Sequence, residues 1–233
     1  MDIRILHLID GAKEAEGLTV IIDVFRAFSL ECYLYAKEVE CIIPIGNIED
    51  AYALKKENKD RILIGERNGR KCEGFDYGNS PSQIIDAPLK GKTIIHTTSA
   101  GTQGIANAKK SDEIITGSFV NAKAVAEYIK RKNPEIISLV CMGNRGIREA
   151  KEDTLCACYI KSLILNEDLD IANKILLLKE DGGEHFFDPK NQDVFPEEDF
   201  WMCTKLNIFP FVLKVKKDAM NRDIIVKEDI CVN

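Results

Sequence analysis

Between Leu18 and Leu165, short runs of β-branched and aliphatic residues alternate with stretches of helical period. Residues 18–23, 41–45, 61–66, 93–97, 113–116 and 136–141 read as strands, and 28–37, 48–58, 101–109, 120–132 and 151–165 as helices. Strands alternating with helices of this length imply a layered α/β/α fold around a largely parallel or mixed sheet. A Gly-rich loop, 68–79, leaves the third strand, and Ser80-Pro81 after it has the form of a helix cap followed by Pro at the first helical position. After Asp168 the pattern weakens to a loop at Asp181-Gly182-Gly183, a helix over 196–206 and a strand over 210–215. No Gly-, Ser- or Pro-rich linker separates the halves, so the pattern predicts one domain, 1–233, with a looser C-terminal extension after about 168.

Composition narrows the class. The chain has 233 residues, 45% hydrophobic and 30% charged, enough to bury a core without staples. Its formal charge of -6 argues against a nucleic-acid partner, which favours a basic surface. No apolar run approaches the ~20 residues of a membrane span, and Met1-Asp2-Ile3-Arg4 does not open a signal peptide. A cytoplasmic protein without membrane or nucleic-acid partners is expected, with self-association into a homo-oligomer left open. The eight cysteines form no Cys-x-x-Cys, and Cys156 and Cys158 fall on different sides of one helix, so reduced, mostly buried thiols are expected.

Several phosphate-handling motifs fail. Gly91-Lys92-Thr93 resembles a P-loop tail, but Asp86 occupies the first Gly position and a strand follows instead of preceding. Cys141 to Arg148 is one residue too long for a thiol-phosphatase loop, and Asp23-Val24-Phe25 lacks the second Asp of an aspartyl-phosphate loop. No Gly-x-Gly-x-x-Gly follows a strand. Polar clusters at strand ends remain, where open α/β sheets bind ligands. They are Asp23 with Arg26, Glu66 with Arg67, the run Thr97–Thr98–Ser99–Ala100–Gly101–Thr102, and Gly143–Asn144–Arg145–Gly146 followed by Glu152 and Asp153.

Each cluster has a plainer reading beside the functional one. Asp23 suits a helix cap as well as a ligand for a hard cation. Glu152 and Asp153 suit a solvated first helical turn, and adjacent helix positions diverge by about 100°, so both need not enter one site. Arg26 and Glu66–Arg67 suit ion pairs, and Asp76, Asn79 and Ser80 suit turns and caps. The Thr97–Thr102 and Gly143–Gly146 turns offer backbone N–H groups and hydroxyls to an anion, with Arg145 or Arg148 adding a cation. His96 and His185 read as structural, and Cys141 as a buried strand-end thiol.

Four stretches in order carry a family resemblance: IIDVFRA at 21–27, GERNG with GFDYGNSP within 65–81, TTSAGT at 97–102, and CMGNRG with EAKEDTLCA within 141–157. Across about 18–165 the chain resembles the 2-phosphosulfolactate phosphatase family of Mg2+-dependent enzymes in coenzyme M and sulfolactate metabolism. The resemblance implies hydrolysis of the small anionic ester 2-phospho-3-sulfolactate to 3-sulfolactate and phosphate. It implies Asp23, Arg26, Glu66 and Arg67 as catalytic, and Asp23, Glu152 and Asp153 as the Mg2+ ligands. Asp76, Asn79, Ser80, Thr97, Thr98, Ser99, Gly101, Thr102, Gly143, Asn144, Arg145 and Gly146 would hold substrate. Phe28-Ser29-Leu30 and Ala100 depart from the family pattern. They keep two alternatives in view, a phosphatase for another phosphorylated hydroxy acid and a non-catalytic anion-binding protein on the same fold.

Overall fold

The structure is a computed structural model that describes residues 1–231. Ten strands form one mixed sheet: β1 Asp2–His7, β2 Gly17–Ile22, β3 Cys41–Pro44, β4 Ile62–Arg67, β5 Arg70–Lys71, β6 Thr93–Thr97, β7 Ser111–Gly117, β8 Ile136–Cys141, β9 Phe211–Lys217 and β10 Asp223–Asp229. Their order is β1-β8-β2-β7-β9-β10-β3-β6-β4-β5. The helices are α1 Leu8–Glu14, α2 Ala27–Ala36, α3 Ile48–Glu57, α4 Gly101–Asn107, α5 Ala122–Lys132, α6 Lys151–Leu165, α7 Ile171–Leu177 and α8 Glu197–Cys203.

Side-chain alternation along the central strands explains the layers. Val20, Ile22 and Leu139 face one cluster with α5, α6 and the C-terminal helices, whereas Ile21 and Val140 face another that holds residues of α1, α2 and α4. In α5, Ala122, Val125, Ala126 and Ile129 are buried at the spacing of a single helical face, and Lys130–Lys132 close its last turn. α2 is buried almost all round, from Ala27 to Tyr35, which carries the polar Ser29 and Glu31 into the core.

β1, β8, β2 and β7 run parallel, as do β3, β6 and β4. The antiparallel hairpin β9–β10 joins the two groups through three reversals, so the groups run in opposite senses. In a flat sheet their carboxyl ends would lie on opposite edges. They meet nonetheless: Gly101 after β6 packs against Asp23 after β2.

Several elements differ from the sequence pattern. The segment after Asp168, expected as a looser extension, supplies the central hairpin β9–β10 and the buried Asp199 of α8. Its alternation is blurred by Lys214, Lys216 and Lys217 in β9. β1 and α1 were not legible because β1 alternates with Asp2 and Arg4 and is only half-buried. Ser80-Pro81 opens only a short 3-10 turn, Ser82–Ile84, and Ser80 Oγ donates to Asp199 Oδ1 (2.9 Å) instead of capping a helix. The cysteines are all free; Cys156 is buried and Cys158 exposed, as their spacing predicts. Among the described residues no helix is long and apolar enough to cross a membrane.

Candidate active site

A cleft of about 540 Å³ opens where the two groups of strand ends converge. Asp23 leaves β2 and is buried against the starts of α2 and α4, where its Oδ1 accepts from the Ala27 amide at 3.3 Å. Gly101 is required there: a Cβ would fall 2.9 Å from Asp23 Oδ2 and 3.0 Å from the Ala27 Cβ. Burial, then the nearby Asp153 and Glu66, push Asp23 up to about 8 against the Ala27 and Gly101 amides. Glu152, in the first turn of α6, is also buried and among the described residues accepts only from its own amide. Burial, then Asp23 and Glu184, push it up to about 7. Asp23 thus raises Glu152, and neither carboxyl has a cation partner among the described residues.

Asp153, the neighbour of Glu152, does different work. Its Oδ1 accepts from the Val24 amide and its Oδ2 from the Gly143 amide, both at 2.8 Å, tying the turn after β2 to the turn after β8. Burial and Glu152 raise its pKa well above the usual range, against these amides. It does not line the cleft. Glu66 lines it but is braced likewise: Oε1 accepts from the Ser99 amide (2.6 Å), Oε2 from the Gly69 amide (2.7 Å) and the Ser99 hydroxyl (3.2 Å).

The cations divide similarly. Arg26 is buried, donates through Nη1 to Asp199 Oδ2 (2.8 Å) and the Val194 carbonyl (2.9 Å), and lies over the Phe195 ring. It reaches the cleft wall as a guanidinium already paired. Arg67 does not line the cleft; its Nη2 donates to Thr97 Oγ1 (2.8 Å) and the Gly46 carbonyl (3.2 Å). Arg145 and Arg148, on the turn after β8, line the cleft, and among the described residues their guanidinium groups have no hydrogen-bond partner. That turn is closed by the Asn144 amide donating to the Arg148 carbonyl at 2.7 Å, and a Cβ at Gly143 (φ +63) would fall 2.3 Å from the same oxygen.

The remaining expected residues scatter. Asn79, Ser99, Gly143 and Asn144 line the cleft, and Ser80 lines a smaller hollow behind Arg26 and Asn79. Gly101 underlies Asp23 and Gly146 packs on Ile9. Thr98 and Thr102 turn inward, each backbone amide donating to the other's hydroxyl at 3.1–3.2 Å. Asp76 sits beyond the edge of the sheet, where Oδ2 accepts from the Leu63 amide (2.8 Å) and Lys55 (3.2 Å). The sequence reading gave no site role to Asp181, Glu184 and Phe195 and took His185 as structural; the segment after α7 brings all four to the cleft. His185 packs between Phe186 and Phe195, and burial lowers its pKa. No periodicity marks these loops; the Gly182-Gly183 turn is the one signal there.

The cleft walls carry six carboxylates, from Asp23, Glu66, Glu149, Glu152, Asp181 and Glu184, against four cationic side chains, Arg26, Arg145, Arg148 and Lys151. Arg26 is moreover spent on Asp199. Among the described residues no three His, Cys, Asp or Glu side chains form a ready metal cage. Mg2+ needs none, since one or two carboxylates with waters and a substrate phosphate usually suffice. Asp23 and Glu152, which line the cleft, fit that donor set; Asp153 does not line it.

An open α/β sheet whose strand ends present paired acids, a glycine turn and free arginines defines a protein built to handle a small polyanion. Comparison with known proteins narrows this class. A sequence model of the family described as 2-phosphosulpholactate phosphatase matches residues 4–218, and the chain belongs to that family. It is 35% identical over 181 residues to a protein of Caldicellulosiruptor saccharolyticus, covering 73% of this chain and 74% of that one. It is 33% identical over 216 residues to a protein of Caldanaerobacter subterraneus, covering 86% and 88%. It is 31% identical over 206 residues to a Bacillus subtilis protein, covering 87% and 88%. All three are named probable 2-phosphosulfolactate phosphatase.

Proposed function

We propose that this protein is a Mg2+-dependent phosphatase that hydrolyses 2-phospho-3-sulfolactate to 3-sulfolactate and phosphate in the cytoplasm, within coenzyme M and sulfolactate metabolism. The observation that carries the reading is that Asp23 and Glu152 line one cleft as buried carboxyls that burial drives toward their protonated forms. A divalent cation bound there would take the place of those protons and let both carboxylates ionise beside a phosphate ester. Mg2+ held by Asp23 and Glu152 would supply charge neutralisation at the phosphoryl oxygens.

The chain's own residues do the rest. Arg145 and Arg148, whose guanidinium groups have no hydrogen-bond partner among the described residues, take the anionic oxygens of the substrate. Arg26, immobilised by Asp199 and Phe195, keeps its guanidinium plane fixed at the wall without rotamer search. Asp153 and Glu66 hold the loops that carry these groups, so the anion meets a prearranged set of charges. Cys141 has no part: burial, then Asp153, push its thiol far up, so it is no nucleophile.

The test is phosphate release from racemic 2-phosphosulfolactate beside phospholactate and phosphoglycerate, each with Mg2+ and with EDTA. Release from phosphosulfolactate with Mg2+ alone is expected. Preference for another ester would move the substrate, and undiminished release in EDTA would remove the metal.

A further inference from the structure

Behind the cleft wall lies a polar chain that the proposed chemistry leaves unused. Glu31 of α2 and His96 of β6 are both fully buried. Glu31 Oε1 is 2.8 Å from His96 Nδ1, and His96 Nε2 is 3.2 Å from Oδ1 of Asn79. The second Glu31 oxygen is buried with no partner. Apolar residues of similar volume would hold such a position at least as stably. The pair therefore asks for a reason other than stability.

Proton counting supplies one. Asn79 Oδ1 only accepts, so His96 Nε2 must carry a hydrogen. That holds whether Glu31 keeps its proton and donates to Nδ1, or the imidazole is doubly protonated beside a carboxylate. Burial, which raises the Glu31 pKa, favours the neutral pair. With Oδ1 fixed on His96, the Asn79 Nδ2 has no acceptor among the described residues, yet it is not sealed in the interior. It is left to the open space that Asn79 lines beside Arg26 and Gly69, where the cleft and the smaller hollow adjoin. An amide turned the other way would present an acceptor to an anion and repel it.

We propose that Glu31 and His96 are positioning residues that lock the Asn79 side chain with Nδ2 toward the cleft, as a donor to one oxygen of a tetrahedral oxyanion, the phosphoryl or sulfonate end of the substrate. The nature of the anion rests on the phosphatase reading; the locked amide does not.

Calorimetric titration of inorganic phosphate and, separately, methanesulfonate in the presence of Mg2+ tests it. Wild type is compared with Glu31→Leu/His96→Phe, with Asn79→Ala and with the triple variant. The double variant removes both polar partners together and is expected to stay folded by circular dichroism while losing about tenfold in affinity for one of the two ions. The ion affected shows which end of the substrate Asn79 meets. Asn79→Ala should lose about as much, and the triple variant no more, because the residues act as one unit. Wild-type affinity in the folded double variant, or losses that multiply in the triple, overturns the proposal. Glu31→Gln, which returns a donor to Nδ1, should rescue binding; a loss equal to that of the double variant overturns it as well. The wild-type protein gives a further test without variants, since 15N shifts of His96 must show a proton on Nε2, and a bare Nε2 refutes the lock. Absence of phosphosulfolactate turnover with the coupling intact would remove the substrate and leave the positioning standing.

Discussion

Two pairs of buried carboxylates stand within one site and do opposite things. Asp153 and Glu66 spend their oxygens on backbone amides and so fasten loop to loop. Asp23 and Glu152 turn to the cleft, where burial raises their pKa values to about 8 and about 7, as it also raises that of Asp153. Asp153 and Glu152 are sequence neighbours in the same helical turn, so residue type and location do not separate the roles. Access to the cleft does: Asp153 bridges two loops away from it, whereas Glu152 lines it beside Asp23.

The sharpest way to break this contrast is to neutralise one member of the second pair. Asp23→Asn keeps the shape and is itself a good helix cap, so the fold should hold while turnover drops by a factor of ~10²–10³ or more. Steady-state kinetics with thermal unfolding on the same sample decide it, and near-normal turnover would make Asp23 a cap. Asp153→Ala should behave differently, orphaning the Val24 and Gly143 amides and costing about 2–3 kcal/mol in urea unfolding. Unchanged stability would deny it the bracing role.

The pH dependence of stability sharpens the same point. Asp23 and Glu152 have folded pKa values raised above those of the unfolded chain, so the folded state holds more protons between about pH 4 and 8. Without metal, stability should be fullest on the acid side and be lost as pH rises through 7 to 8. Mg2+ should flatten that fall by replacing the protons. Thermal unfolding at pH 5.5 and 8.5, with EDTA and with Mg2+, checks the sign; a metal-free protein more stable at the higher pH would contradict it. The smallest effect is expected at Cys141→Ser, with turnover changed by no more than about threefold, because that thiol is buried and held protonated.

Much of this architecture was legible because strands buried on both faces write continuous apolar runs, as in 18–22 and 136–141. Asp23 and Glu152 could be found because polar residues directly after such runs, or at the next helix start, stand at the sheet's ligand edge. What the sequence hid is long-range. Arg26 reads as an anion ligand until Asp199, 173 positions away, is seen to hold it. Asp153 reads like Glu152 until the two amides facing it are known. Asp76 carries a signature turn but folds back on Leu63 and Lys55. His185 was set aside as structural, and only the folding of an aperiodic loop brings it to the cleft. The hairpin β9–β10, inserted between β7 and β3, gives the two groups of strands opposite senses, and no local pattern announces that insertion.

The central claim is that Asp23 and Glu152, and not Asp153, hold the divalent ion. Calorimetric titration of Mg2+ into the metal-free wild type, Asp23→Asn/Glu152→Gln and Asp153→Asn tests it most directly. The account predicts one Mg2+ site in the wild type, its loss in the double variant, and its retention in folded Asp153→Asn protein. A double variant that still binds Mg2+ as the wild type does would contradict it.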